Sequence, residues 1–519
     1  MKKTKEKKGR VGYVVLTVIL GILWTLASIL TSLAVWYQNT FSMEFGELLY
    51  TLLSPLGGTG VSTVSQILEA CLLPVLLSVA AYLTVAILLF PREERFLCRK
   101  NGSVEITRSH ARTWCILRRI SAIFCVVALL LSAGFACIAF RIPQYIAKSM
   151  GHSTIYSDFY VDPNTVAITD IDGKPRNLIY VYVESLESTY YLQSNGGAQK
   201  ENDLMPGLTA LAKEHISFSD SAALGGFHSI AGTSWTMGAL MGTTSGVPFS
   251  LSVFGEKAHN SLGKDGNFVN GLTALGDILE EKGYTQEFLC GSDIGFAGRD
   301  SYFTQHGNYK LFDYYTAIEK GYIEEGYKVW WGYEDAILFD IARDEVTELA
   351  KGDQPFNFTM LTVDTHHVGG YRCTECGSEF PTRLENVIAC TDRLVSEFVA
   401  WCMEQDFYEN TTIIVTGDHP RMDTQLVKGI DTYDRTIYNC FINSCAAPAD
   451  KDSTQSRIWT SLDMFPSILA AMGYSIEGER LGLGTNIFSS RPTLSEEYGY
   501  EWLENEVSKY SEYYKIKFC

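Results

Sequence analysis

The sequence predicts an α/β domain with a largely parallel sheet, carried behind three membrane-spanning helices. Three observations predict it. The first 140 residues hold three apolar runs, Val11–Tyr37, Ile67–Phe90 and Ile120–Phe140, each long enough for the ~20 helical residues that cross a bilayer. From Asn177 onward, strand-like and helix-like segments alternate, as they do in βαβ units. Three of the strand-like runs then end on carboxylates or histidines, at the strand ends where open α/β sheets bind their ligands.

The apolar runs come with a one-sided charge pattern. Lys2, Lys3, Lys5, Lys7, Lys8 and Arg10 precede the first run. Arg92, Arg95, Arg99, Lys100, Arg108, Arg112, Arg118 and Arg119 lie between the second and third, and residues 38–66 hold neither Lys nor Arg. Basic loops stay in the cytoplasm, so the expectation is a multi-pass protein of the cell membrane. Its N-terminus is cytoplasmic and everything after about Arg141 is extracytoplasmic. The first run is too long for a cleaved signal, and no small-residue cleavage site clearly follows it. The expected division is a membrane domain over 1–140, a juxtamembrane connector over 141–175, a catalytic domain over 176–490 and an acidic, Tyr-rich extension over 491–519.

Charge also restricts partners. The 519 residues carry a net charge of −18, and because the first 140 are net basic, the remainder is more acidic still. Such a domain is soluble and is no nucleic-acid binder, although a local basic pocket for an anion is compatible with it.

Along the outer domain, NLIYVYVES reads as a buried strand and ISFSDSAA as a second candidate. GLTALGDILEEKGY reads as an amphipathic helix feeding the strand TQEFLCGS. FNFTMLTVDTHH is a further strand, LENVIACTDRLVSEFVAWCMEQ a helix, NTTIIVTGDHP a strand and SLDMFPSILAAMGY a helix.

Chemistry concentrates at the strand ends. Asp418–His419 pairs a carboxylate with an imidazole after a β-branched strand, a donor set suited to divalent metals such as zinc or manganese. Glu184 ends the first strand of the domain, with Glu187 as its competitor. Thr233, in GGFHSIAGTSWTMGALMG, sits just before a helix-compatible run. There, free backbone N–H groups favour phosphate, and a metal on the hydroxyl would make it nucleophilic. Ser234 and Thr236 are rivals for the same role. His366 and His367 follow a strand, where an imidazole can stabilise a phosphoryl oxygen or protonate a leaving alkoxide. Cys373 and Cys376 form a CxxC, but zinc needs two more ligands and none is evident nearby, so a local disulfide or unpaired thiols are expected. The eight cysteines from Cys290 onward are even in number and permit disulfides.

Taken in order, VESLESTYY, AGTSWTMGALMG, GSDIGFAGRD, FTMLTVDTHH, CTDRLVSEF and the closing TGDH resemble the lipoteichoic acid synthase and membrane phosphoglycerol transferase branch of the alkaline-phosphatase and sulfatase superfamily. The resemblance covers about residues 175–490. It implies a mixed sheet sandwiched by helices and one divalent metal, manganese first with magnesium or zinc as alternatives, held by Glu184, Thr233, Asp418 and His419. It implies that Thr233 attacks the phosphorus of phosphatidylglycerol, that His366 acts on the phosphoryl group or the leaving oxygen, and that Arg299 pairs with phosphate. A cell-envelope glycan or polymer then receives the glycerophosphate. Lipoteichoic acid synthases have five spans and three are counted here, which favours the glucan-modifying type. No C/S-x-P-x-R setting stands near Thr233, which argues against an arylsulfatase. A phosphoethanolamine transferase is the enzymatic rival, and an inactive metal-binding ectodomain is the non-enzymatic one.

Overall fold

A run of apolar residues too long to bury in a small core forms a helix whose amides are all satisfied internally. Three helices of the computed structural model have this character: α1 (Lys2–Thr40), α3 (Val61–Leu88) and α4 (Ala111–Ala139). Within them Tyr13–Thr40, Ser65–Leu88 and Ile116–Ala139 are long and apolar enough to cross a membrane. Their large side chains point outward, as with Leu73 and Leu131. Small and hydroxylated residues face one another instead, with Ser28 and Ser78 hydroxyls 2.6 Å apart and Thr31 donating to Ser132 at 2.9 Å, the close packing that holds helices together in lipid.

The structure describes residues 2–41, 43, 45–53, 61–89, 96–100, 103–107, 111–171, 173–250, 267–450 and 453–519. Arg92, Arg95 and Arg108 of the basic loop lie outside them. Residues 1–41 and 61–144 form one unit, and residues 42–60 and 145–519 a second. Helix α2 (Phe45–Leu53), which lies in sequence between α1 and α3, belongs to the second unit.

That second unit is built on a six-stranded sheet. Its strands in chain order are β1 (Asn177–Val183), β2 (Thr285–Cys290), β3 (Lys310–Phe312), β4 (Phe356–Leu361), β5 (Thr411–Gly417) and β6 (Asn439–Ile442). Across the sheet they run β3-β2-β4-β1-β5-β6. All neighbours are parallel except the edge pair β5–β6. The central strands β1, β4 and β5 are buried almost throughout, which explains why they read as continuous apolar runs. Helices cover the sheet, among them α5 (Pro206–Glu214), α6 (Thr236–Ser245), α7 (Arg299–Gln305), α8 (Asp335–Leu349), α9 (Arg383–Met403) and α10 (Met464–Ala471).

One expected strand does not form. ISFSDSAA makes only the single bridge Ile216–Phe441, because its polar side chains bond locally: Ser219 Oγ accepts from the Ser221 amide and Asp220 accepts from Gly226. Such local bonds compete with a ladder. The helix expected over GLTALGDILEEKGY is limited to Leu275–Glu281.

The flanking segments join this body. Ile168–Asp170 pairs antiparallel with Tyr474–Ile476. Tyr156 is buried against Tyr514 and Phe518, which ties the stretch before the sheet to the C-terminal helices.

Candidate active site

Parallel register makes neighbours of residues that are remote in sequence. Val183 of β1 is paired with Gly417 of β5, so the next residues, Glu184 and Asp418, emerge side by side. His419 follows, with Nδ1 donating to the Pro420 carbonyl at 2.9 Å. That bond leaves Nε2 towards Glu184 Oε1 at 3.5 Å and Asp418 Oδ2 at 3.3 Å. All three side chains are buried, and their ligand atoms lie within 4.8 Å of one another. Neighbours orient the carboxylates: Ser185 Oγ donates to Glu184 Oε1 at 2.8 Å, and the Ser185 and His419 amides donate to Asp418 Oδ1. Glu187 is not at this cluster. Its carboxylate is taken up by the Arg435 guanidinium and the Arg421 amide.

The hydroxyl that reaches the cluster belongs to Thr236. Its Oγ1 is 3.2 Å from Glu184 Oε2 and 3.3 Å from His419 Nε2. Thr236 is the first residue of α6, beside amides with no partner inside the helix. Thr233, expected here, is placed elsewhere. It is fully buried, and its Oγ1 donates to the Ile230 carbonyl and contacts Ser461 Oγ. Its methyl packs so closely on Gly242 that a Cβ there would stand 2.6 Å away. The physical reason is a turn at 230–233, closed by the Thr233 amide on the Ile230 carbonyl at 2.8 Å, after which the helix begins only at Thr236. Ser234 bonds to Glu47 of α2 instead.

His366 and Arg299 face the same cleft, together with Glu184, Thr236, Trp235, Ser292, Trp331 and Met422. His366 Nδ1 is 2.8 Å from the His367 carbonyl, and its ring lies against Trp331. His367 is adjacent, stacked on His366. Arg299 is nearly buried and donates only to neutral oxygens, at Ser292, Asp293 and Phe296. Among the described residues it forms no ion pair, so its charge is available to an anion.

Several supporting residues carried no sequence signal. Fully buried Arg421 pairs with Asp423 at 2.6 Å and donates to the Thr365 carbonyl, while Asp423 accepts from the Gly369 amide. Together they fix the loop bearing His366. From the C-terminal extension, Glu504 accepts from the Ala231 amide and Tyr500 donates to the Ser229 carbonyl, bracing the turn ahead of Thr236.

The electrostatics suit a cation. Burial, and then the adjacent Glu184 charge, push the Asp418 carboxyl up to about 7. Burial would lower the His419 imidazole, but Asp418 and Glu184 outweigh it and hold the group above its ordinary value. Asp418 Oδ2 is buried without a hydrogen-bond partner, which is costly for a polar atom. Two carboxylates, one imidazole and one hydroxyl converging on such an atom fit a divalent cation.

The sequence profile described as Sulfatase matches residues 176–474, more than half of the chain. The chain belongs to the sulfatase family. Among curated relatives it is 28% identical over 351 residues to phosphoglycerol transferase I of Xanthomonas euvesicatoria pv. vesicatoria, covering 66% of this chain and 46% of that protein. It is 29% identical over 329 residues to phosphoglycerol transferase I of Citrobacter koseri, covering 60% and 40%. The chain thus spans about half the length of the curated relatives it matches. Among solved structures, the lipoteichoic acid synthase LtaP from Listeria monocytogenes aligns with a TM-score of 0.47 at 16% identity, over 62% of this chain and 79% of that one.

Proposed function

We propose that this member of the sulfatase family is a membrane-anchored phosphotransferase that moves glycerophosphate from phosphatidylglycerol to an extracytoplasmic glycan or polymer through a phosphothreonine-type intermediate at Thr236. The observation that carries this reading is the Thr236 hydroxyl, set at a helix start against Glu184 and His419. The family name does not fix the reaction, since the C/S-x-P-x-R setting that a sulfatase needs does not stand near Thr236. Curated relatives named phosphoglycerol transferase I support glycerophosphate as the group transferred.

Glu184, Asp418, His419 and Thr236 would hold the divalent cation, which when bound neutralises phosphoryl charge and acidifies the hydroxyl. Arg299 and the first amides of α6 bind the phosphodiester. Thr236 Oγ1 attacks phosphorus, its proton passing to Glu184 Oε2, and the bond from phosphorus to the diacylglycerol oxygen breaks. Burial lowers the His366 imidazole, so its imidazolium form is the stronger acid for protonating that departing oxygen. In the second step neutral His366 takes the proton of the acceptor hydroxyl. The acceptor oxygen attacks phosphorus, the bond to Thr236 breaks, and Thr236 regains its proton from Glu184.

The anchor suits a lipid donor, because tethering raises the local concentration of the bilayer substrate. Helix α2 supports the extracytoplasmic placement: it comes from the loop free of Lys and Arg, and Glu47 on it accepts from Ser234 beside the site. Incubating the full-length protein in detergent with manganese and fluorescent phosphatidylglycerol tests the reading. Release of diacylglycerol is the expected result, and turnover of phosphatidylethanolamine in its place would assign the chain to the rival transferase class.

A further inference from the structure

The CxxC of the outer domain has a third partner that its spacing concealed. Cys390, about two turns into α9 and on its buried face, projects onto Cys373 and Cys376. The Cys373 sulfur lies 3.4 Å from that of Cys376 and 4.0 Å from that of Cys390, and the three sulfurs all fall within 4.8 Å of one another. Tetrahedral zinc with bonds of about 2.3 Å separates its thiolates by about 3.8 Å, which is the middle of this range. All three residues are nearly buried, and none is disulfide-bonded.

We infer that Cys373, Cys376 and Cys390 form a second metal site, a zinc-thiolate centre distinct from the carboxylate cluster, with a water completing the fourth corner. Three converging sulfurs select zinc over the harder cations that suit carboxylates. A disulfide would use only two of them and leave the third unpaired.

The Arg393 guanidinium, also paired with Glu375 and Glu397, lies 3.9 Å from the Cys390 sulfur. Zinc at this place would clamp the chain that follows His366 and His367 onto α9. It would act beside the Arg383 bonds to the Val368 and Gly369 carbonyls. The centre thereby positions the loop carrying His366.

The test uses the full-length chain purified from zinc-supplemented cells. His419→Ala removes a ligand of the carboxylate cluster, so zinc that remains bound reports the thiolates. The expected result is one zinc ion per chain in His419→Ala, lost on adding Cys390→Ser. Because cysteine variants can misfold, the unsubstituted protein is also loaded with cobalt. A thiolate-to-cobalt charge-transfer band in the near ultraviolet is expected, a signature that oxygen and imidazole donors do not give. Absence of that band, with an intact mass lower by two hydrogens and one alkylatable thiol among the three, would overturn the site in favour of a disulfide.

Discussion

Glu184 and Asp418 stand side by side because the residues before them, Val183 and Gly417, are paired in parallel register on β1 and β5. The backbone of the sheet thus sets the spacing of the two carboxylates, and His419 and Thr236 complete the cluster from a loop and a helix start.

Thr236→Ala removes the hydroxyl that meets Glu184 and His419. Diacylglycerol release should fall by at least about 10³-fold, since residual turnover then comes from binding and charge alone. Thr233→Ala removes buried hydrogen bonds to Ile230 and Ser461. It should cost about 1–3 kcal/mol of stability, read by thermal unfolding, and leave the folded enzyme active. Equal loss of turnover in both variants would contradict the assignment.

Cation affinity should depend on pH with a definite sign. In the metal-free protein Asp418 titrates at about 7, so a proton competes with the cation below that value. Manganese affinity should weaken by up to about tenfold per pH unit on falling below pH 7 and level off above it. The same raised value means that the metal-free chain loses stability from this group as pH rises from its unfolded value near 3.8 to about 7, where the carboxylate must ionise while buried. Adding manganese at pH 8 should therefore raise the melting temperature, and isothermal titration across pH 6–8 checks the affinity slope.

Glu184 and Glu187 separate by readout. Glu187 is fully buried against Arg435 at 2.6 Å, and removing one partner of such a pair costs about 3–5 kcal/mol. Glu187→Ala should lower the unfolding midpoint strongly. Glu184→Gln should lose cation binding with a much smaller change in the stability of the metal-free chain. Calorimetry of both variants, with and without manganese, distinguishes the two roles.

Arg299 carries a charge that no carboxylate in the described residues neutralises. Arg299→Ala should weaken donor use by about 1.5–3 kcal/mol, the value of a charge-assisted hydrogen bond. That loss should appear in kcat/KM for lipid substrates. Arg299→Lys should recover only part of it, because a lysine cannot grip two phosphate oxygens in a fork.

Much of this molecule was legible in its sequence. The three long apolar helices were, because uninterrupted apolar length has few other outcomes. The strand ends were, because a carboxylate after a run such as IYVYV or TIIVTG breaks the burial pattern. Which hydroxyl meets the carboxylate cluster was not: Thr233, Ser234 and Thr236 fall within four residues, and the turn closed at Ile230 leaves Thr236 beside Glu184 and His419. The difference between Glu184 and Glu187 depended on Arg435, far away in sequence. Cys390 escaped notice because a ligand supplied by the next helix has no fixed spacing from a CxxC.

The most direct test of the central claim is to quench the enzyme during turnover of phosphatidylglycerol and fragment the peptide that spans residues 229–245 in a mass spectrometer. The account predicts one added glycerophosphoryl group on Thr236, absent from Thr236→Ala. The same adduct on Thr233 or Ser234, or steady turnover by Thr236→Ala, would contradict it.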